Sequence, residues 1–419
     1  MKHPRLLVCT CVLLALFGIP LKARSYGVLT HQAIIDVAWE PSLVPVLRKR
    51  FPGATQEQLK EAHAHAYGGA IIQDMGYYPF GNVFFTDLTH YTRTGDFIEA
   101  LFQEATNLNE YAFALGALAH YYSDNYGHPI GTNRAVALVY PEVKAAHGPV
   151  VTYEEDPAAH IKTEFGFDVL QVARGNYAPE AYHDFIGFEV SKEVLERAFK
   201  KTYGLELKSL FISLEVTIAT FRRSVSTLIP SLTKAAWNLK ADDIQKANPS
   251  ATKRKFQYRI NKTDYHKQWG REYQRPNFFQ RFLSWLLRVL PKIGPNKALA
   301  FVPPTPAAEK VFMESFNVTS DQYAAKLKVL NWQDAVIVNK DLDTGNETKI
   351  GTYGKTDKTY AELLNRLAKD DFKQLPPALK KDLLQFYATA KAPEAADKEA
   401  QKDWEKVQEN LAKLKATSL

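Results

Sequence analysis

The sequence predicts a mainly α-helical protein, and three observations carry the prediction. Residues 26 to about 240 repeatedly place apolar side chains three and four positions apart, which is the period of one helix face. Strand-like alternation is scarce. Residues 111–120 (YAFALGALAH) are apolar nearly all round and rich in Ala and Gly, as in a central helix packed closely by its neighbours. With 419 residues, 46% hydrophobic and 12% aromatic, the chain has material for a large core and two domains, and a disordered protein is excluded.

The order of segments gives the expected organisation. Residues 1–25 read as a signal peptide: Lys2 and Arg5 precede an apolar run over residues 6–19 that is too short to span a bilayer comfortably. Ala23-Arg24-Ser25 places small residues where a signal peptidase reads, so cleavage near Ser25 would make Tyr26 the mature N-terminus of an exported, periplasmic or secreted protein. Both cysteines, Cys9 and Cys11, lie inside this leader, so a mature metal site has to be built from imidazole, carboxylate or the terminal amine. Without the leader's Lys2, Arg5, Lys22 and Arg24 the formal net charge falls from +7 to +3, which does not indicate a globally basic nucleic-acid binder.

Residues 26–240 are expected to form a helical catalytic domain. Within them, residues 209–239 carry apolar residues at helical spacing interrupted by Pro230, as a kinked core helix or two consecutive helices would. Residues 241–300 differ in composition: from Lys240 to Lys297 there are 14 Lys or Arg against 4 Asp or Glu, interleaved with aromatics. This segment reads either as a basic linker with one amphipathic packing helix, or as a surface that contacts an anionic membrane or polyanion through residues 278–292. Residues 301–419 are expected to be a mostly helical extension. Its spaced Asp341, Asp343 and Asn346 suggest a calcium loop, but no Glu follows at the required position, and an ordinary turn is the expectation.

The chemistry is concentrated in the histidines. Nine of the ten beyond the leader lie before residue 184. His120, Asp124 and His128 follow one another at four-residue spacing at the end of the apolar helix, forming a row on one face. If that helix persists, about 12 Å of axis separates the two histidines at a rise of about 1.5 Å per residue. One zinc with ligands at about 2 Å cannot bridge that distance. The row therefore suggests two or more metals with Asp124 between them. His160 and Glu164 repeat the spacing and would complete a sphere with His128 that leaves a position for water or substrate. At the mature start, Tyr26 offers an amine and a carbonyl close to the His31 imidazole. Asp74 and His90 lie between these sets. His63 and His65 fall on different faces of an expected helix and read as supporting or surface residues, and His147, His183 and His266 have no comparable partner.

This ordered set resembles the zinc-dependent phospholipase C family, whose fold is shared with fungal zinc nucleases that cut single strands. The resemblance covers about residues 26–164, with the helices to residue 240 assigned to the same domain. It implies three zinc ions: Tyr26, His31 and Asp124 on one, Asp74, His90, His120 and Asp124 around the second, and His128, His160 and Glu164 on the third. In the phospholipases the residue matching Asp74 is regarded as a general base, so the resemblance makes Asp74 a ligand, a base or both. Two departures stand out. Tyr26 replaces the usual terminal Trp, and His128 follows Asp124 by four residues where many members use six. The shorter spacing resembles the amino-terminal domain of glycosylphosphatidylinositol-specific phospholipase D.

Clustered divalent ions suit an anionic phosphodiester, because they stabilise added negative charge and lower the pKa of water. The expected function is thus a phospholipase C-like phosphodiesterase acting on a phospholipid or related phosphoester with a metal-activated water. A single-strand nuclease of the same fold and a non-enzymatic zinc-stabilised binding protein are the alternatives. Nothing in the sequence argues for an oligomer.

Overall fold

The computed structural model describes residues 27–173, 177, 186–229, 232, 233, 236, 240, 242, 243, 246, 301–330, 336–392 and 398–417. The leader, Tyr26, His183, Pro230, His266 and the 278–292 stretch lie outside the described residues, as does nearly all of 241–300.

Among the described residues the fold is mainly α, as the periodicity predicts, and the only extended pairing is an isolated bridge between Lys340 and Glu347. Helix α1 (Val28–Ala38) runs through a π-helical turn (Trp39–Leu43) into α2 (Val44–Arg50). Helix α3 (Gln56–Gly69) starts at a capping box, in which the Gln58 backbone N–H donates to the Thr55 hydroxyl and the Thr55 N–H donates to the Gln58 side chain. A 3₁₀ turn (Ile72–Tyr77) leads to α4 (Val83–Tyr91) and α5 (Thr94–Glu104). Helix α6 (Leu108–Tyr126) is capped by Asn107, whose side chain accepts from the Glu110 N–H. After a π-helical turn (Gly127–Thr132) come α7 (Asn133–Val139), α8 (Pro141–His147), α9 (Pro157–Ala173), α10 (Lys192–Tyr203) and α11 (Leu214–Arg223). The later part supplies α12 (Pro306–Val329), α13 (Gly354–Lys369), α14 (Pro377–Phe386) and α15 (Lys398–Ala416).

Helix α6 is the axis of the core, as its composition predicts. A Cβ added at Gly116 would lie 2.0 Å from the Ala66 carbonyl oxygen, and one at Gly69 would lie 2.0 Å from that of Phe113. Only hydrogen at these two positions lets α3 and α6 approach so closely. Helix α12 covers another side: the Tyr323 hydroxyl donates to the Leu115 carbonyl (2.8 Å), and Phe312 stacks on Phe167 of α9 at 4.3 Å. Tyr323, Leu342 and Leu363 belong to the same apolar cluster as Leu115, so the extension packs into the core of the N-terminal helices.

The stretch from 209 differs in detail from the expected helix. A 3₁₀ turn (Leu207–Leu210) precedes it, and α11 begins at Leu214, where Ser213 caps by accepting from the Val216 N–H. A π-helical turn (Ser224–Leu228) follows.

Candidate metal centre

Six elements position the expected ligands. His31 stands on α1, Asp74 in the 3₁₀ turn, His90 on α4, His120 and Asp124 on α6, His128 in the following π-helical turn, and His160 and Glu164 on α9. All eight are buried. The Asp74 turn is pinned on both sides: Gln73 donates to the Ala117 carbonyl of α6, and the Thr89 hydroxyl of α4 donates to the Gln73 carbonyl.

The structure brings these eight residues together, with Asp124 in the middle. Its Oδ1 lies 3.4 Å from His31 Nε2 and 3.8 Å from His128 Nε2. Its Oδ2 lies 3.1 Å from His120 Nε2 and 3.4 Å from His90 Nε2. Asp74 Oδ1 is 3.4 Å from His90 Nε2, and the two groups His31–His120–Asp124 and Asp74–His90–His120 each offer donor atoms within 4.8 Å of one another. On the far side of Asp124, Glu164 Oε1 lies 3.6 Å from His128 Nε2 and 2.9 Å from His160 Nδ1.

These separations fit ligands sharing cations, since tetrahedral ligands about 2.0–2.1 Å from zinc stand about 3.3 Å from each other. The hydrogen bonds agree. His90 Nδ1 faces the Thr86 carbonyl and His120 Nδ1 the Ala70 carbonyl, each at 2.9 Å. A carbonyl can only accept, so both protons sit on Nδ1 and both Nε2 lone pairs turn inward, 3.2 Å apart. Two facing lone pairs need a cation or a proton between them. Both oxygens of Asp124, Asp74 Oδ1 and Glu164 Oε1 are buried and make no hydrogen bond. Buried carboxylates left so cost several kcal/mol each unless a cation compensates them.

The electrostatics point the same way. Burial works to lower the His90 pKa, but Asp124 and Asp74 overcome it and raise it to about 10, so in the absence of metal the site captures a proton. Burial would raise Asp124, yet the imidazoles of His120 and His128 hold it well below the usual carboxylate range. Glu164 is pushed well above its ordinary value by burial, with Asp124, Asp74 and Asp343 adding repulsion that His128 only partly offsets. Burial, with His120 beside it, keeps His31 neutral, the form that binds metal.

Three supporting residues escaped the sequence reading. Asp168 continues the row of His160 and Glu164 by one more four-residue step, and it accepts from the Leu29 and Thr30 N–H groups and the Thr30 hydroxyl at the start of α1. Extending the spacing by one turn would have found it. Asn133, one residue past the π-helical turn, pairs with His160 Nε2 at 2.7 Å. Asp343 lies in the stretch expected to be an ordinary turn; a turn it is, but it places a buried carboxylate 3.5 Å from His128 Nδ1. The other histidines go elsewhere. His63 is buried, not at the surface, stacked on Trp39 at 3.8 Å with its Nε2 3.4 Å from Asp36. His65 shares a hydrogen bond with Ser191, and His147 is exposed at the end of α8.

A helical fold that gathers imidazoles and carboxylates around one central aspartate defines the class: a helical protein with a buried cluster of residues able to hold metal ions. Residues 21–213 match the family described as zinc dependent phospholipase C. No curated protein and no solved structure matches the chain.

Proposed function

We propose that the protein is a zinc-dependent phospholipase C-like phosphodiesterase that hydrolyses the glycerol-side phosphodiester of a phospholipid. The observation that carries this reading is the convergence of four imidazoles on the two oxygens of Asp124, 3.1–3.8 Å away, inside the segment that matches the family. Bound there, zinc ions supply Lewis-acid stabilisation of phosphate charge and lower the pKa of a bound water. We propose three ions: two at the groups His31–His120–Asp124 and Asp74–His90–His120, and a third that His128, His160 and Glu164 would hold, with Tyr26 joining the His31 ion once a leader ending near Ser25 is removed from an exported chain.

The residues divide the remaining work. Asp74 Oδ1, buried without a hydrogen bond, takes the proton of the attacking water and returns one to the departing diacylglycerol oxygen as the phosphorus–oxygen bond breaks. His31, His120 and His160 are fully buried, whereas Asp74, His128 and Glu164 keep 3–4% exposure. The neighbouring surface suits lipid better than a nucleic acid. Phe80, in the loop between Asp74 and α4, and Val83, at the start of α4, are exposed, and hydrogen bonds from Asn82 to Leu210 and from Thr217 to Phe80 tie this loop to a segment that exposes Ile212 and Val216.

The decisive assay sets phosphatidylcholine vesicles beside single-stranded DNA, with and without a chelator. Phospholipid cleavage that stops on zinc removal and returns on zinc addition is the expected result. Cleavage of DNA alone would establish the nuclease reading, and zinc binding without turnover of either would leave a stapled binding protein. Asp74→Asn should lower kcat by about 10²–10⁴-fold, the usual range for losing a general base. Ile212→Ser should weaken activity on vesicles several-fold and leave activity on a soluble short-chain substrate unchanged.

A further inference from the structure

The third donor set is closed by a segment far outside the family match. Residues 337–346 cross the ends of α4, α5 and α6. The Leu342 N–H donates to the carbonyl of the ligand His90 (2.9 Å), Lys340 exchanges hydrogen bonds with the Thr94 hydroxyl, and the Tyr121 hydroxyl donates to the Val338 carbonyl. The turn itself is tight. The Thr344 N–H and hydroxyl both donate to Asp341, and Gly345 adopts φ +74°, where a Cβ would also come within 2.8 Å of the Asn125 carbonyl oxygen. Asp343 at its centre is 1% exposed.

Asp343 faces His128 with its carboxylate and reaches His160 through its backbone carbonyl and Asn133. Its Oδ2 accepts from the Tyr153 N–H (3.0 Å) and the Tyr353 hydroxyl, which leaves Oδ1 aimed at His128 Nδ1 (3.5 Å). His128 Nε2 is the nitrogen that faces Asp124 and Glu164, so the proton of that ring belongs on Nδ1, toward Asp343. The Asp343 carbonyl accepts from Asn133 Nδ2 (2.8 Å). That bond fixes the amide orientation, so Asn133 Oδ1 must accept from His160 Nε2 (2.7 Å), and His160 Nδ1 is left to face Glu164 Oε1 at 2.9 Å.

We infer that Asp343 is the positioning residue of the His128–His160–Glu164 metal site, setting the tautomer of His128 through its carboxylate and that of His160 through its backbone carbonyl and Asn133. The C-terminal extension is thereby part of the metal centre. The inference rests on the reading that this centre binds zinc, not on its substrate.

The test is zinc affinity of the full mature chain, measured by competition with a chromophoric chelator and by metal analysis, together with the cobalt-substituted visible spectrum. Asp343→Asn retains an oxygen for the Tyr153 N–H and cannot accept strongly from His128. It should weaken the most labile zinc about 10–100-fold, the range for loss of an outer carboxylate, and alter the cobalt spectrum. Asn133→Ala should weaken the same ion through His160, and Tyr353→Phe should do so to a smaller degree. Melting of the metal-free variants separates this from a fold defect: metal-free midpoints close to wild type with weakened zinc support the inference. Wild-type zinc affinity and an unchanged cobalt spectrum in Asp343→Asn overturn it, as does a loss confined to metal-free stability. If the wild type binds zinc and cleaves no phospholipid, the proposed function fails and this inference stands.

Discussion

Asp168 shows how far a single side chain can shape this site without touching a metal. Its carboxylate holds the first backbone N–H groups of α1, the helix that carries His31, and burial raises its pKa from 3.8 to about 7 despite those bonds. The native state therefore retains a proton that the unfolded chain gives up near pH 4. Stability linked to that proton is fully present below pH 4 and is lost as pH rises through 7, by up to about 4 kcal/mol at about 1.4 kcal/mol per pKa unit. In Asp168→Asn the static cost of a lost acceptor remains and the titration disappears. Denaturation of the metal-free protein across this range should show the advantage of wild type over Asp168→Asn shrinking steadily from pH 4 to pH 7. A difference that stays level would mean that the carboxylate is already charged at pH 4, and the burial argument would fail.

At the scale of elements, much of the site was legible because helices repeat. The row His120–Asp124–His128 and the pair His160–Glu164 lie at spacings that any amphipathic reading exposes, and the structure brings both to one centre. The end of the row is less regular than the spacing suggests: Pro129 has no N–H to donate back along the helix, so α6 stops at Tyr126 and His128 sits in a wider π-helical turn. Asp343 was illegible for a physical reason. Its turn is specified by local hydrogen bonds, while its role depends on contacts with residues about two hundred positions earlier, which no local period encodes. The closeness of α3 and α6, by contrast, was written in the Ala and Gly content of residues 111–120. Gly116→Ala should thus force the helices apart at a cost of roughly 1–3 kcal/mol, the range for overpacking a tight contact. His120 lies one turn further along, so zinc retention should fall with the thermal midpoint; a variant that melts like wild type would show that the contact is softer than its geometry.

For the whole molecule, the centre acts as a clasp between the N-terminal helices and the extension. Asp74, Asp124, Glu164 and Asp343 are buried together, and among the described residues their partners are imidazoles, backbone N–H groups and a tyrosine hydroxyl. Ions that bind only the folded state add about 2.7 kcal/mol per site at a hundred times the dissociation constant. Several such sites should raise the melting midpoint of the zinc-loaded protein by at least about 5 °C over the chelated one, at a few degrees per kcal/mol. The gain should not be uniform along the chain. Residues 337–346 are held in part by His90, Tyr121, Asn133 and His128, at or near the centre, and in part by Glu99, Thr94, Tyr153 and Tyr353. Without cations, the cost of keeping Asp124, Glu164 and Asp343 buried together favours opening there first. Limited trypsin digestion, read by mass spectrometry for the new terminus at Asp341, should therefore cut after Lys340 markedly faster in the chelated protein. Cleavage after Lys340 at one rate with and without zinc would mean that the turn is held by packing alone and that the extension is a neighbour of the metal centre, not a part of it.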